Sequence, residues 1–452
     1  MAQLDAGTGR GDAEYLRRLQ WLLLPAAFFN GFDSELRALL LPQLQRAFHV
    51  SLAATGVIGV PIGLGQLAAV VLVRRADRVG RRPLLLVSLV GYALFTGLTA
   101  AAHSIAAFVA CQFGAQLFIG TEYALAVIVI AEEFAPESRG RALGRLLFAV
   151  PLGGVATAVL LGLGLQHSAL GWRAFYLVGV LPALLLALAR RLLRETHAYR
   201  AAEAAGATRA PARAVLVPPF RRRLVALGAL NVLIKIPTAA AAGWWTYYAE
   251  RERHLSTGVV AFDLAVAYGI GTLGYYACGR AIDHFGRRPV VTVFLSIGCA
   301  SAAALFLLPG EAATFVLLLL AVFFGLGVGP ALSALSAESF PTALRGEASA
   351  IVGNVFALSG ELAGPALVGG IAAAISGGHR VGNAVALLTV LALPALAVLW
   401  RFVPETRGAQ LEQADPLAPI PAGGAGGGGG GARHTGVVPH LGGACPRRQD
   451  RR

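Results

Sequence analysis

Six charged side chains interrupt stretches of the chain that are otherwise almost wholly apolar. Asp33, Glu35 and Arg37 stand together in the first such stretch, Glu122 in the fourth, Lys235 in the seventh and Glu361 in the eleventh. A charge at the centre of a bilayer costs at least ~2.5 kcal/mol, so each of these should be paired, line a water-filled cavity, or take part in moving ions or protons. On a helix Asp33 and Arg37 lie one turn apart and can pair on a shared face, while Glu35 points to another side. Lys235 is the only lysine in the chain, every other basic side chain apart from histidine being arginine. Pro237, two residues on, removes a backbone hydrogen bond and permits a kink of the kind found in helices that gate or bind. A lysine can snorkel to the headgroups, but one so far inside a helix starting near Leu224 has too long a reach, which favours a cavity. Glu361 is either a solute-binding group or a buried partner for Lys235, and Asp263, nearer a helix end, is expected to be solvated. Trp244, Trp245, Tyr247 and Tyr248 read as an interfacial belt, or more sharply as an outer gate.

The elements that hold these groups follow from composition. The 452 residues are 56% hydrophobic and 14% charged, where a soluble domain is expected to be about a quarter charged, so a water-soluble enzyme is excluded. Apolar windows long enough to cross a bilayer occur at about 19–44, 53–73, 83–102, 105–131, 143–165, 171–190, 224–249, 258–280, 289–308, 312–336, 348–374 and 382–403. The expected fold is all-α, a polytopic membrane protein with twelve transmembrane helices in two six-helix bundles. Its divisions are a tail at 1–18, bundles at 19–190 and 224–403, a cytoplasmic linker at 191–223, and a glycine-rich, disordered tail at 404–452.

The formal charge of +14 does not point to nucleic acid, because the arginines sit in short loops between apolar spans and not on one solvated face. They concentrate on alternate loops, which by the positive-inside rule puts both termini in the cytoplasm; the expected location is the plasma (inner) membrane. No leader-like pattern precedes the first span, which is expected to stay. Four cysteines without metal spacing imply neither a metal nor a disulfide framework.

The two halves repeat. Asp77-Arg78-Val79-Gly80-Arg81-Arg82-Pro83 recurs as Asp283-His284-Phe285-Gly286-Arg287-Arg288-Pro289, a shift of 206 (283 − 77), and the same shift carries Glu132, Glu133, Arg139 and Gly140 onto Glu338, Ser339, Arg345 and Gly346. A duplicated six-helix unit explains both matches. An Asp, a glycine turn and paired arginines can form charge-assisted bonds to acidic groups and helix C-termini, latching the cytoplasmic side across an interface.

These loops, with Pro404-Glu405-Thr406-Arg407-Gly408 after the last span, resemble the major facilitator superfamily over about residues 19–408, and within it the sugar-porter and metabolite:proton symporter branches. The resemblance implies proton-coupling roles for Asp33 and Glu122, with Glu35 as a further candidate. The family's span-four arginine falls on Gln112, so Arg37 or Lys235 has to supply the cation. Val73 replaces the glycine usual four residues before the first loop's Asp, whereas the second copy keeps Gly279. Gly269-Ile270-Gly271-Thr272-Leu273-Gly274 fits a dinucleotide fingerprint, but it lies inside an apolar helix with no strand before it, so its glycines are read as helix-packing residues. The drug-antiporter proline-glycine signature is not reproduced at Pro151-Leu152-Gly153-Gly154.

The chain is thus expected to be a secondary transporter and not an enzyme, without cofactor or metal, acting as a monomer in the bilayer by proton-coupled symport of a small organic solute. Two intramembrane cations favour a carboxylate. Arg37, Lys235, Gln112 and Glu361 are the expected solute contacts. A sugar porter, an exporter of cationic or hydrophobic compounds, and a membrane sensor or membrane-bound enzyme are the alternatives.

Overall fold

The structure is a computed structural model that describes residues 8–134, 136–190, 220–340, 342–376 and 380–406. Among the described residues it is helical, with no strand. Eleven helices are long and apolar enough to cross a membrane. The twelfth is span one, Thr8–Leu39, whose charged residues break its apolar window. It begins well before residue 19, so much of the expected N-terminal tail is helix, with an Arg18–Glu14 pair one turn apart. The protein is therefore an all-α, polytopic membrane protein. The expected linker lies outside the described residues up to residue 219, and so does the tail beyond residue 406.

Spans two to seven are single helices, Leu52–Val79, Arg81–Ala100, Ile105–Glu133, Pro136–Gly162, Arg173–Arg190 and Phe220–Arg251. Span nine, Arg287–Leu307, is also single. The others are interrupted. Span eight breaks at Thr272 between Thr257–Gly271 and Leu273–Phe285, and span ten breaks between Glu311–Gly327 and Gly329–Glu338. Span eleven runs from Thr342 to Ser376 through a π-helical segment, Val352–Ala357. Span twelve joins Val381–Thr389 to Ala392–Phe402. Its start is capped by Glu252, whose carboxylate accepts from the Val381 and Gly382 N–H groups. Burial raises the pKa of this carboxyl, while those N–H groups and Arg380 pull it down.

The repeat seen in the sequence is also a repeat of geometry. Gly80 and Gly286 take φ of 98° and 90°, and their N–H groups close the preceding helices on Ala76 O and Ile282 O at 3.0 and 3.2 Å. Glycine tolerates this backbone at no steric cost, so the chain can end one span and start the next within a single residue.

Small residues let the helices approach closely. A Cβ on Gly31 of span one would fall 1.9 Å from Val150 O of span five, and one on Gly153 would fall 2.1 Å from Phe28 O. Gly31→Ala is expected to force these backbones apart, costing about 1–3 kcal/mol in detergent unfolding. Gly144→Ala, where a Cβ meets nothing within 4 Å, is expected to be neutral or slightly stabilising. In the Gly269–Gly274 run only some glycines work in this way. A Cβ on Gly274 would meet Phe323 O at 2.2 Å, but one on Gly269 meets nothing.

The buried apolar clusters divide unevenly between the two ends of the molecule. At the end carrying the paired arginine loops, residues such as Leu23, Leu125 and Leu146 form one core, and Leu227, Leu295 and Leu335 form another. Each of these cores belongs to one half only. Toward the far end a single cluster joins both halves, with Phe32, Leu36 and Phe175 packed in the same core as Trp244, Leu264 and Val368.

Candidate functional site

The halves enclose a cavity with two adjoining lobes of about 240 and 200 Å³. Spans seven to ten line most of the first, and spans one, two, seven and eleven most of the second. Glu35, Ala239, Ala242 and Glu361 border both. Apolar walls with a few convergent polar groups are what a small-molecule site requires.

Span seven reaches the cavity because span eleven lets it come close. A Cβ on Gly360 would fall 2.7 Å from Val232 O and one on Gly364 would fall 2.4 Å from Ile236 O. This approach sets Lys235 opposite Glu361, Nζ to Oε2 at 3.6 Å. The pair is not sealed away, since 39% of the lysine side chain and 54% of the glutamate side chain are exposed. Glu35, from the other half, accepts from the Tyr268 hydroxyl at 2.7 Å, tying span one to span eight. Gly154 makes room for that bridge, its Cβ position lying 3.0 Å from Glu35 Cγ. Arg37 lines the second lobe, its guanidinium 3.8 Å from a Cβ on Gly59.

Four of the expected site residues therefore meet at the cavity, namely Glu35, Arg37, Lys235 and Glu361. Three do not border it. Asp33 is fully buried and accepts from Gln116 Nε2 at 2.6 Å, so the expected Asp33–Arg37 pair does not form within 4 Å. The two are one turn apart, but Asp33 faces span four while Arg37 turns into the second lobe. Gln112 is buried inside the first half, donating to Thr99 at 3.2 Å. Glu122 is ion-paired with Arg190, both side chains being wholly buried. It also accepts from Ser88 at 2.7 Å, and Arg190 donates to Leu22 O at 3.0 and 2.6 Å.

In the arginine loops the first paired arginine of each copy bonds an acidic residue and the C-terminus of the preceding helix. Arg81 forks onto Glu132 at 3.2 and 2.8 Å and reaches Ala76 O at 3.0 Å. Arg287 does the same in the second half, with Glu338 at 3.0 and 2.8 Å and Ile282 O at 3.1 Å. These six bonds each join groups of one half. The glycine turn aims each arginine back at the helix it has just left, and fork-to-carboxylate geometry then fixes it on the acidic residue near the end of the span that follows its own. Glu405, from the terminal Pro-Glu-Thr, accepts from the Arg287 and Arg288 N–H groups at 2.9 Å each, so it caps span nine. Arg288 also lies over the Trp400 ring, 4.6 Å from its centroid. Gly80 and Gly286 make the turns, Arg82 follows Arg81 and Glu133 follows Glu132 in the chain, and the side chains of Asp77, Arg78, Arg139 and Arg345 lie outside those described.

Trp244 and Trp245 are not at a lipid interface. Their exposures are 1% and 2%; Trp244 Nε1 donates to Pro365 O at 2.9 Å. Tyr248 is buried as well, its hydroxyl on Phe306 O at 2.9 Å. Together with the approach of Gly56 to Pro365 O, 2.7 Å from a Cβ there, they close the far end over the cavity. Sequence reasoning did not single out Arg190, Gln116 or Tyr268, nor Tyr275, which lines the first lobe. Only Gln116, one turn beyond Gln112 in an apolar helix, left a local signal.

Comparison with known proteins agrees with this architecture. The chain is 25% identical to the probable 4-methylmuconolactone transporter of Cupriavidus pinatubonensis, over 88% of this chain and 94% of that one. It is 25% identical to the putative niacin/nicotinamide transporter NiaP of Bacillus subtilis, over 85% and 95%, and 26% identical to the gentisate transporter of Corynebacterium glutamicum, over 88% and 91%. Among solved structures, an inward-facing, occupied bacterial homologue of the human lysosomal transporter Spinster superposes with a TM-score of 0.72 at 16% identity, covering 85% of this chain and 96% of that one. A D-xylose-proton symporter gives 0.69 at 18%, covering 87% and 99%. The model of the Major Facilitator Superfamily matches residues 23–360 and again 239–441, an overlap that a duplicated unit produces, and the chain belongs to that superfamily of membrane transporters.

Proposed function

We propose that the protein is a proton-coupled symporter of a small organic carboxylate, working as a monomer in the plasma (inner) membrane by alternating access, with both termini cytoplasmic. The observation that carries this reading is Lys235, the chain's single lysine, partly exposed in the first lobe, which the second half lines and Glu35 of the first half borders. Arg37 in the adjoining lobe supplies a second cation, and charge-assisted bonds from two cations suit a carboxylate. The relatives named for niacin and gentisate point to the same chemistry. A cavity inside one chain needs no second copy. Alternating access is supported by the shared core at the far end against separate cores at the loop end, as expected of a state open to the cytoplasm. The coupling proton belongs on a carboxylate bordering the cavity or on Asp33. Glu122, neutralised by Arg190, is left out.

Glu35 and Glu361 in the same cavity favour a second reading, in which the ligand is a cation. One experiment separates the two. Nicotinate or gentisate at about 100 times Kd is expected to stabilise the purified protein by about 2.7 kcal/mol, and an inward proton gradient to drive its accumulation in proteoliposomes. Stabilisation by benzylamine or xylose, and not by either carboxylate, would move the assignment to an exporter or a sugar porter.

A further inference from the structure

We propose that Lys235 and Glu361 form a displaceable ion pair: the solute's carboxylate takes the place of Glu361 on Lys235, and the freed Glu361 takes up the coupling proton. This rests on the carboxylate reading above and assigns its proton site.

The geometry of the pair is that of a weak hold. At 3.6 Å it is longer than the roughly 2.7–2.9 Å of a charge-assisted hydrogen bond, and both partners are open to the cavity. Glu361 borders both lobes, so a solute in either can reach it. The remaining groups facing it are Glu35 and Arg37 on span one, Tyr268 and Tyr275 on span eight and Cys299 on span nine. Glu35 already accepts the Tyr268 hydroxyl and keeps that bond when Lys235 is taken. Glu361 would lose its counter-ion, and an unpaired carboxylate facing largely apolar walls is better off protonated.

Charge balance gives the same result. The two lobes hold two carboxylates, Glu35 and Glu361, and two cations, Lys235 and Arg37. A monocarboxylate entering alone leaves one net negative charge, which one proton on Glu361 cancels. The proton comes from water in the cavity, adds to a Glu361 carboxylate oxygen and leaves by the reverse step, and no bond of the solute is broken. The π-helical segment just before Glu361, Val352–Ala357, is of a kind that recurs at functional sites in helices.

The test is proton uptake on binding nicotinate, measured in weakly buffered detergent solution. Wild type is expected to take up close to one proton per nicotinate bound, and its apparent Kd to rise about tenfold per pH unit once Glu361 is ionised in the free protein. Glu361→Gln is expected to bind nicotinate with no uptake and with a Kd flat in pH, while Glu35→Gln still takes up the proton. Undiminished uptake in Glu361→Gln overturns the proposal and leaves the carboxylate reading standing. Failure of wild type to bind either nicotinate or gentisate overturns that reading itself. If Glu361→Gln does not fold, Glu361→Asp, which keeps the charge, is expected to move the pH of half-maximal uptake, and an unmoved midpoint counts against Glu361.

Discussion

Lys235→Ala is expected to raise the apparent Kd for nicotinate about ten- to a hundred-fold while leaving the fold intact. A hydrogen bond to a charged group contributes about 1.5–3 kcal/mol, which at 1.36 kcal/mol per tenfold gives that range. The stability cost should be small, because Glu361, the partner left behind, is 54% exposed to the cavity and can take up a proton from its water, as it does when a solute occupies Lys235. That separates Lys235 from a structural lysine, whose loss would lower the unfolding temperature without selecting among ligands. Lys235→Arg should recover part of the affinity, since it keeps the charge but presents a planar fork in place of a compact ammonium. Isothermal titration with nicotinate, beside thermal unfolding without ligand, reads both quantities. Equal affinity in wild type and Lys235→Ala would take the lysine out of the binding site and leave Arg37 as the cation to examine.

What the sequence made legible divides along physical lines. The spans were readable because a bilayer demands some twenty apolar residues at a time, and the duplication because loop motifs at a fixed offset cannot arise from composition. The Lys235–Glu361 pairing was one of two readings left open for Glu361, and the close approach of Gly360 and Gly364 to span seven brings it about. Partners distant in the chain were hidden. Local helix geometry suggested Arg37 for Asp33, yet the bond goes to Gln116, 83 residues away. Arg190 ends span six next to an arginine-rich stretch, where a cation reads as topogenic, and nothing in periodicity connects it to Glu122. The tryptophans of span seven have a composition that suits a lipid interface as well as a seal, and only the position of Pro365 on span eleven distinguishes the two.

The second large effect is expected from the Glu122–Arg190 pair, and it is one of stability. Removing one member of a buried ion pair leaves an uncompensated charge and costs about 3–5 kcal/mol. Glu122→Gln strands Arg190, which keeps only its bonds to Leu22 O. Arg190→Leu strands Glu122, which keeps only the Ser88 hydroxyl, and it also leaves the Leu22 carbonyl without these donors. Arg190→Leu should therefore be the worse of the two. The double variant Glu122→Leu/Arg190→Leu should recover most of the loss, because well-packed apolar replacements of a buried pair are often neutral, and the unanswered Leu22 carbonyl should keep it short of wild type. Denaturation in detergent gives the order. Transport gives an independent readout, since the pair lies away from both lobes. Folded Glu122→Gln protein in proteoliposomes should still accumulate nicotinate against its gradient. If it exchanged nicotinate but no longer accumulated it, Glu122 would have the coupling role that the resemblance to proton symporters implied, and Arg190 would be the counter-ion that controls its proton and not a structural partner alone.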